Sequence, residues 1–226
     1  MSNPKYFERL WLWFFPRRCV WCSGVTQPDS MLCAGCAGKA EPPLEPGPLP
    51  GTDIHLVPVF TYRSRARQIL LNFKFHNGKN LAHSIGYAMA DALSASRYAD
   101  KPGWLFCCVP VTPAKMSEQG FNHSELLAKA AARWLGNEYA PLLVKTRETP
   151  AQHSLPRERR LTNVAGAFAV AKPELIRARK IVLCDDTCTT GSTLREAVRV
   201  LQEAGAKEII CLTYLRTDLE DEKLDS

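Results

Sequence analysis

The sequence predicts an α/β fold, a parallel sheet flanked by helices, preceded by a small N-terminal four-cysteine module. Three observations predict it. From residue 54 onward, short β-rich runs alternate with longer helical periods, the pattern of βαβ units. One run, Ile181 to Cys184 (IVLC), holds no polar residue, as a central parallel strand buried on both faces requires. Four cysteines cluster within the first 40 residues, ahead of a stretch dense in proline and glycine. A chain of 226 residues with 46% hydrophobic side chains suits one ordinary α/β domain plus a small appendage, and excludes disorder as the default.

The N-terminal segment YFERLWLWFFPRRC is aromatic and apolar, but Leu10 to Phe15 falls far short of the roughly 20 residues a membrane helix needs. Glu8 and Arg9 interrupt it, and no small-residue cleavage site follows, so it does not read as a signal peptide. The expectation is a cytoplasmic protein without a transmembrane segment. The aromatic segment either packs on its own domain or makes weak contact with a membrane surface.

Cys19, Cys22, Cys33 and Cys36 form C-x2-C-x10-C-x2-C. Each close pair supplies two vertices of a tetrahedron, and four thiolates complete a closed structural zinc site. The segment, punctuated by Gly24, Gly35 and Gly38, has little apolar core, and metal binding supplies the missing folding energy. The competing readings are buried or redox-active cysteines; the paired spacing suits a metal better. The remaining five of nine cysteines lie in apolar runs such as LFCCVPV, where Cys107 and Cys108 read as small buried hydrophobes. All are expected reduced.

Residues 1–40 therefore read as N-terminal segment and zinc ribbon, and 41–53 (EPPLEPGPLPGTD) as a linker. Residues 54–217 read as the α/β domain, and 218–226 as an acidic tail. Within the domain, strands are expected at His55 to Tyr62, Leu105 to Val111, Leu142 to Lys145, Gly166 to Val170, Ile181 to Cys184 and Glu208 to Leu215. Helices are expected at Arg65 to Phe75, Leu81 to Tyr98, Ser124 to Leu135 and Ser192 to Ala204, the last two closed by Gly136 and Gly205.

Ligands of open parallel sheets bind beyond the carboxyl ends of the strands, where Asp185 and Asp186 are expected. Thr187, Cys188, Thr189, Thr190, Gly191, Ser192 and Thr193 follow and run into a helix. Small hydroxyl residues and a glycine let main-chain N–H groups turn inward around an anion, and the helix N-terminus adds to the attraction. The two carboxylates suit a pair of ribose hydroxyls or a magnesium ion on the sugar and pyrophosphate. An acidic doublet alone is more often a solvated turn or a helix cap; the complete pattern is more specific. The chain has neither G-x-G-x-x-G nor a Walker A loop, so dinucleotide and nucleoside-triphosphate readings lose support.

This run resembles the signature of type I phosphoribosyltransferases. Together with the four-cysteine ribbon, YRSRARQILLNFKFHNGK (Tyr62 to Lys79), CVPVTPAKMSEQGFNHSELLA (Cys108 to Ala128) and TPAQHSLPRERRLTNVAGAF (Thr149 to Phe168), it makes the chain similar to the ComF family over almost its full length. The resemblance implies a type I phosphoribosyltransferase-like sheet that binds phosphoribosyl pyrophosphate with magnesium, in natural competence or the use of DNA as a nutrient. Asp185 and Asp186 would be catalytic, and Asp185 through Thr193 with Lys115 would bind the ligand. Val109 to Lys115 would meet the pyrophosphate, Lys74 and Lys79 would add positive charge, and Arg157, Arg159 and Arg160 would lie in a hood.

Gln119 stands where the family usually has an arginine, which removes one anion contact. Cys184 and Cys188 replace residues that are more often aliphatic, and Cys188 would be reactive if exposed at the helix N-terminus. Thr189 occupies the position of a carboxylate in purine-salvage relatives and cannot accept a proton at neutral pH, which argues against base salvage. Two functions remain in competition. One is a phosphoribosyltransferase of unidentified acceptor; the other is a non-catalytic protein that senses the metabolite or grips single-stranded DNA, alone or with other competence proteins. The formal charge of +6 fits either anionic partner.

Overall fold

The computed structural model describes residues 18–27, 30–40, 43–62, 64–75, 79–98, 103–147 and 164–217. The N-terminal aromatic segment, Arg157, Arg159, Arg160 and the tail from 218 lie outside them. Of Lys79 only the helical main chain is described.

The elements in chain order are β1 (Gly47–Pro48), β2 (His55–Thr61), α1 (Ser64–Phe75), α2 (Lys79–Ala95), β3 (Trp104–Cys108), α3 (Pro113–Gln119) and α4 (His123–Trp134). They continue with β4 (Glu138–Tyr139), β5 (Leu143–Lys145), β6 (Phe168–Val170), β7 (Lys180–Cys188), α5 (Ser192–Glu203) and β8 (Glu208–Arg216). Six strands form one sheet in the order β1-β2-β8-β7-β3-β4, and every pairing is parallel except β1 with β2. β5 and β6 form a separate antiparallel pair.

Strand alternation sorts the core into two layers. Val182 and Cys184 of β7 join Val57, Phe106, Ile210 and Leu212 under α2 and α4. Ile181 and Leu183 join Leu105, Ile209 and Cys211 under α5. This is the helix-covered parallel sheet the apolar runs predict. Gly86 lets α2 approach α4: a Cβ there would stand 2.4 Å from Ala130 Cβ, so even alanine would force the helices apart.

Two expected boundaries move for local reasons. β3 ends at Cys108 rather than Val111, because the chain turns into α3, which begins with Pro113 and is capped by the Thr112 hydroxyl accepting from Lys115 N. The helix expected to reach Tyr98 stops at Ala95, and Ser96 turns back to bond the Leu93 carbonyl through both its N–H and its hydroxyl. The proline-rich 41–53 segment supplies the edge strand β1, and Leu49 is fully buried beneath it.

The cysteine module is docked on the sheet. Val20 and Trp21 are buried in the same layer as Phe60 and Tyr214, with Trp21 edge-on to Phe60 at 5.7 Å. Tyr214 Oη donates to the Val20 carbonyl at 3.1 Å, and Arg18 N donates to Ser84 Oγ at 2.9 Å.

Candidate functional site

β3 and β7 lie side by side, but the chain leaves β3 toward β4 and leaves β7 toward β8 on the other side. Such a switch of direction opens a crevice beyond the strand ends. Three segments meet there. Val109 N donates to the Cys184 carbonyl at 3.0 Å, and Asn122, the N-cap of α4, donates from Nδ2 to the Val109 carbonyl at 2.9 Å. Ser124 Oγ then donates to Asp185 Oδ1 at 2.7 Å.

β7 does not stop at Cys184. It runs through the acidic pair to Cys188, because β8 is equally long and pairs Asp185 with Thr213, Thr187 with Leu215 and Cys188 with Arg216. Asp185 and Asp186 therefore stand inside the strand, followed by Thr187 and Cys188, and only Thr189 to Gly191 form the connection to α5.

The two aspartates are neighbours with opposite electrostatics. Asp185 accepts from Ser124 and from Asp186 N (2.8 Å), yet burial, reinforced by the Asp186 charge, raises its carboxyl to about 7. Asp186 is also pushed up by burial, but Lys74 outweighs this: its ammonium lies 2.7 Å from Asp186 Oδ2 and holds the carboxyl below the usual range. Lys74, which the family resemblance assigns to general positive charge, is thus committed to one carboxylate in this state. Near neutral pH the pair holds one full negative charge and one group poised between its two forms.

The loop is shaped by Gly191, whose φ of +73° favours glycine and whose Cβ would stand 3.1 Å from Leu49 Cδ1. Thr190 Oγ1 and Ser192 Oγ lie 3.1 Å apart at the start of α5. That helix has no side-chain cap and no acidic residue in its first turn, which leaves its positive end without an internal counter-charge. Thr189 and Thr193 are half-buried beside it.

Cys188 does not meet the condition of exposure that a reactive thiol at the helix N-terminus would require. It is 2% exposed, packed with Leu49 and Leu194, and burial and the Asp185 charge push it up to about 12. Lys115 is exposed on α3, with its charge acting on His123. Gln119, at the end of α3, has a buried Oε1 with no partner.

Reading the sequence missed His123, Ser124 and Arg195. His123 is 6% exposed, its ring lies 5.1 Å from that of Phe73 and 4.7 Å from that of Phe121, and its Nε2 has no partner. Burial lowers its imidazole below the ordinary value against the pull of Asp186. The signal was present in Gly120-Phe-Asn-His-Ser124, where Asn122 reads as a helix cap, but nothing local shows that the next two residues face β7.

In the cysteine module the four ligand sulfurs all lie within 4.8 Å of one another. Hydrogen bonds from Cys36 and Cys22 bring the Cys33 thiol down to about 7, while burial pushes Cys36 up to about 12. Such convergence of four thiols is the donor set of a structural zinc site. A cavity of about 420 Å³ opens elsewhere, lined by Glu138, Tyr139, Lys172 and Arg179 among others. None of the expected site residues line it.

The parallel sheet, its switch point and the acidic strand end define a protein of the phosphoribosyltransferase-like class. The phosphoribosyl transferase domain family matches residues 122–225. Over 218 residues the chain is 28% identical to the DNA utilization protein YhgH of Shigella flexneri, covering 88% of this chain and 90% of that one. It is 31% identical over 158 residues to the competence protein ComFC of Streptococcus pneumoniae, covering 70% and 66%, and 29% identical over 198 residues to competence protein F of Haemophilus influenzae, covering 84% and 81%. The chain belongs to the ComF family.

Proposed function

We propose that this chain binds phosphoribosyl pyrophosphate with magnesium at the ends of β3 and β7 and transfers the phosphoribosyl group to an acceptor. The supporting observation is the continuous run from a split acidic pair, through a loop closed by Gly191, into an uncapped helix N-terminus. The 5′-phosphate takes the Thr189 to Thr193 loop, whose hydroxyls and helix end favour a dianion. The pyrophosphate lies toward Val109 to Lys115. Asp186, charged, and Asp185, poised, accept the ribose hydroxyls and face the positive charge that develops at the anomeric carbon as pyrophosphate leaves.

Asp185 and Asp186 are hard oxygen donors suited to magnesium, which would neutralise the leaving group. Lys74 must then yield at least part of its hold on Asp186. Cys19, Cys22, Cys33 and Cys36 hold one zinc with a structural role, since four thiolates leave no position open for water. The relatives' names, DNA utilization protein and competence protein, support a role in natural competence or the use of DNA. Reduced cysteines fit the cytoplasm, and among the described residues no helix is long and apolar enough to cross a membrane.

Calorimetry with phosphoribosyl pyrophosphate and magnesium tests this reading. Asp185→Asn with Asp186→Asn should abolish binding while the fold stays intact; unchanged affinity would remove the proposal. The alternative, a non-catalytic grip on single-stranded DNA, draws on the +6 charge and the relatives' names. It predicts affinity for oligonucleotides that falls steeply with salt and is indifferent to the Asp pair.

A further inference from the structure

Arg195 lies in the first turn of α5 and ties together two segments 145 residues apart in sequence. Its Nη1 donates to the Pro50 carbonyl at 2.7 Å and to the Thr190 carbonyl at 2.9 Å, and its main-chain N–H donates to the Gly191 carbonyl at 2.8 Å. Within each peptide unit C=O and N–H point in opposite directions, so holding these carbonyls orients the N–H groups of Gly191 and Ser192. Ser192 N–H has the Thr190 hydroxyl 3.5 Å away, a long contact that a phosphate oxygen can replace.

The other side of the loop is walled by the segment before β2. Leu49 is fully buried, and a Cβ on Gly191 would stand 3.1 Å from Leu49 Cδ1 and 3.3 Å from Pro50 Cδ. Gly51 has φ +76°, and a Cβ there would stand 3.8 Å from Arg195 Nη1. Leu49 N also donates to the Ile54 carbonyl at 2.7 Å, which closes this turn on itself. The wall is closed by its own hydrogen bond, and the guanidinium keys it to the loop.

Resting on the phosphate-loop reading above, we infer that Arg195 is the positioning residue of the 5′-phosphate site: it locks the Thr190–Ser192 turn against Pro50 in the form that receives a phosphate. Arg195 acts through the loop and does not touch the reacting atoms. Its effect is therefore confined to the phosphate end of the ligand and spares the pyrophosphate end, which is built from the segment after β3.

Two partial ligands separate this role from general loosening. Full-length wild type, Arg195→Met and Arg195→Lys are titrated by calorimetry with ribose 5-phosphate, and separately with magnesium pyrophosphate. Both variants should bind ribose 5-phosphate about tenfold more weakly, the scale of one lost charge-assisted hydrogen bond. Magnesium pyrophosphate should stay within about twofold of wild type, as expected for a distant independent site. Lysine keeps the charge but is too short to hold both carbonyls, and it decides the question if the methionine variant does not fold. Equal weakening of both ligands, or wild-type affinity for ribose 5-phosphate in Arg195→Lys, overturns the inference. Failure of the wild type to bind either ligand removes the proposed function, and this inference with it; normal binding by both variants removes only the role of Arg195.

Discussion

In the cysteine module all four sulfur atoms come from the stretch Cys19 to Cys36 and meet within 4.8 Å. At the end of β7 the groups around the two aspartates come from α1, α4 and the opening of α5, and the loop leans on the segment before β2. The first centre is built by local turns: Ser23 N donates to the Cys19 carbonyl and Cys36 N to the Cys33 carbonyl, both at 2.9 Å. The second exists only once the sheet has formed. A site built locally is exposed to the loss of one ligand, whereas a site built from the sheet edge is tuned by every element that reaches it.

The largest effect is expected from the local centre. Removing the proposed zinc, or Cys36→Ser, should lower stability by about 3 kcal/mol or more, because a structural zinc would supply folding energy and because Val20 and Trp21 cover Phe60 and Tyr214 in the main core. Metal analysis should find about one zinc per chain. A metal-free, fully folded protein with four free thiols would dissolve the contrast between the two regions.

A smaller effect is expected at the sheet edge from Lys74→Met, which strands Asp186 without its counter-ion. Denaturant unfolding should show a loss of about 2 kcal/mol, below the value for a fully buried pair because both side chains keep some solvent contact. Adding Asp186→Asn should recover part of it. A loss no greater than that of an exposed pair such as Lys129–Glu125 would show that the two groups are not coupled in solution.

The smallest effect, and the sharpest test of the split between the aspartates, is in pH dependence. Asp185 is raised in the folded state, so it binds its proton more tightly there than in the unfolded chain. Its contribution is fully present below the ordinary value of 3.8 and is lost as pH rises toward about 7. Asp186 is lowered and runs the other way, losing its contribution as pH falls through its folded value. Relative to wild type, Asp185→Asn should gain about 1 kcal/mol across that window, measured by urea unfolding at a series of pH values. A flat difference would mean that Asp185 is an ordinary solvated carboxylate.

Much of the fold was legible because its signals are local or periodic. IVLC read as a buried strand, Gly136 and Gly205 closed their helices at φ +67° and +88°, and the paired C-x2-C spacing read as metal-binding knuckles. The edge strand β1 and the helix α3 were not foreseen. Gly47 and Pro48 have no strand propensity, and pairing with β2 alone makes them one. Pro113 to Gln119 is a single short helix without one buried residue, so it carries no apolar periodicity to read.

The acidic pair and the hydroxyl loop were visible as a pattern, but their chemistry was not. Nothing in Asp185-Asp186 distinguishes the two residues; Lys74, brought in by α1, keeps Asp186 charged, while burial and the Asp186 charge leave Asp185 poised against the lowering pull of Ser124 from α4. Cys188 read as a loop residue, reactive if exposed, and β8 made it part of a strand by pairing it with Arg216. His123 and Arg195 were silent because a helical residue declares its period and not its neighbour across the sheet.

By itself the sequence determined the fold class, the clustering of the four cysteines and the position of the acidic and hydroxyl run, since periodicity, spacing and turn residues act over a few positions along the chain. Only the tertiary structure decided which aspartate carries the charge, where β7 ends and what holds Gly191 in place. Those depend on desolvation and on hydrogen bonds between residues far apart in sequence, and such terms arise only when the sheet brings their partners within 3 Å.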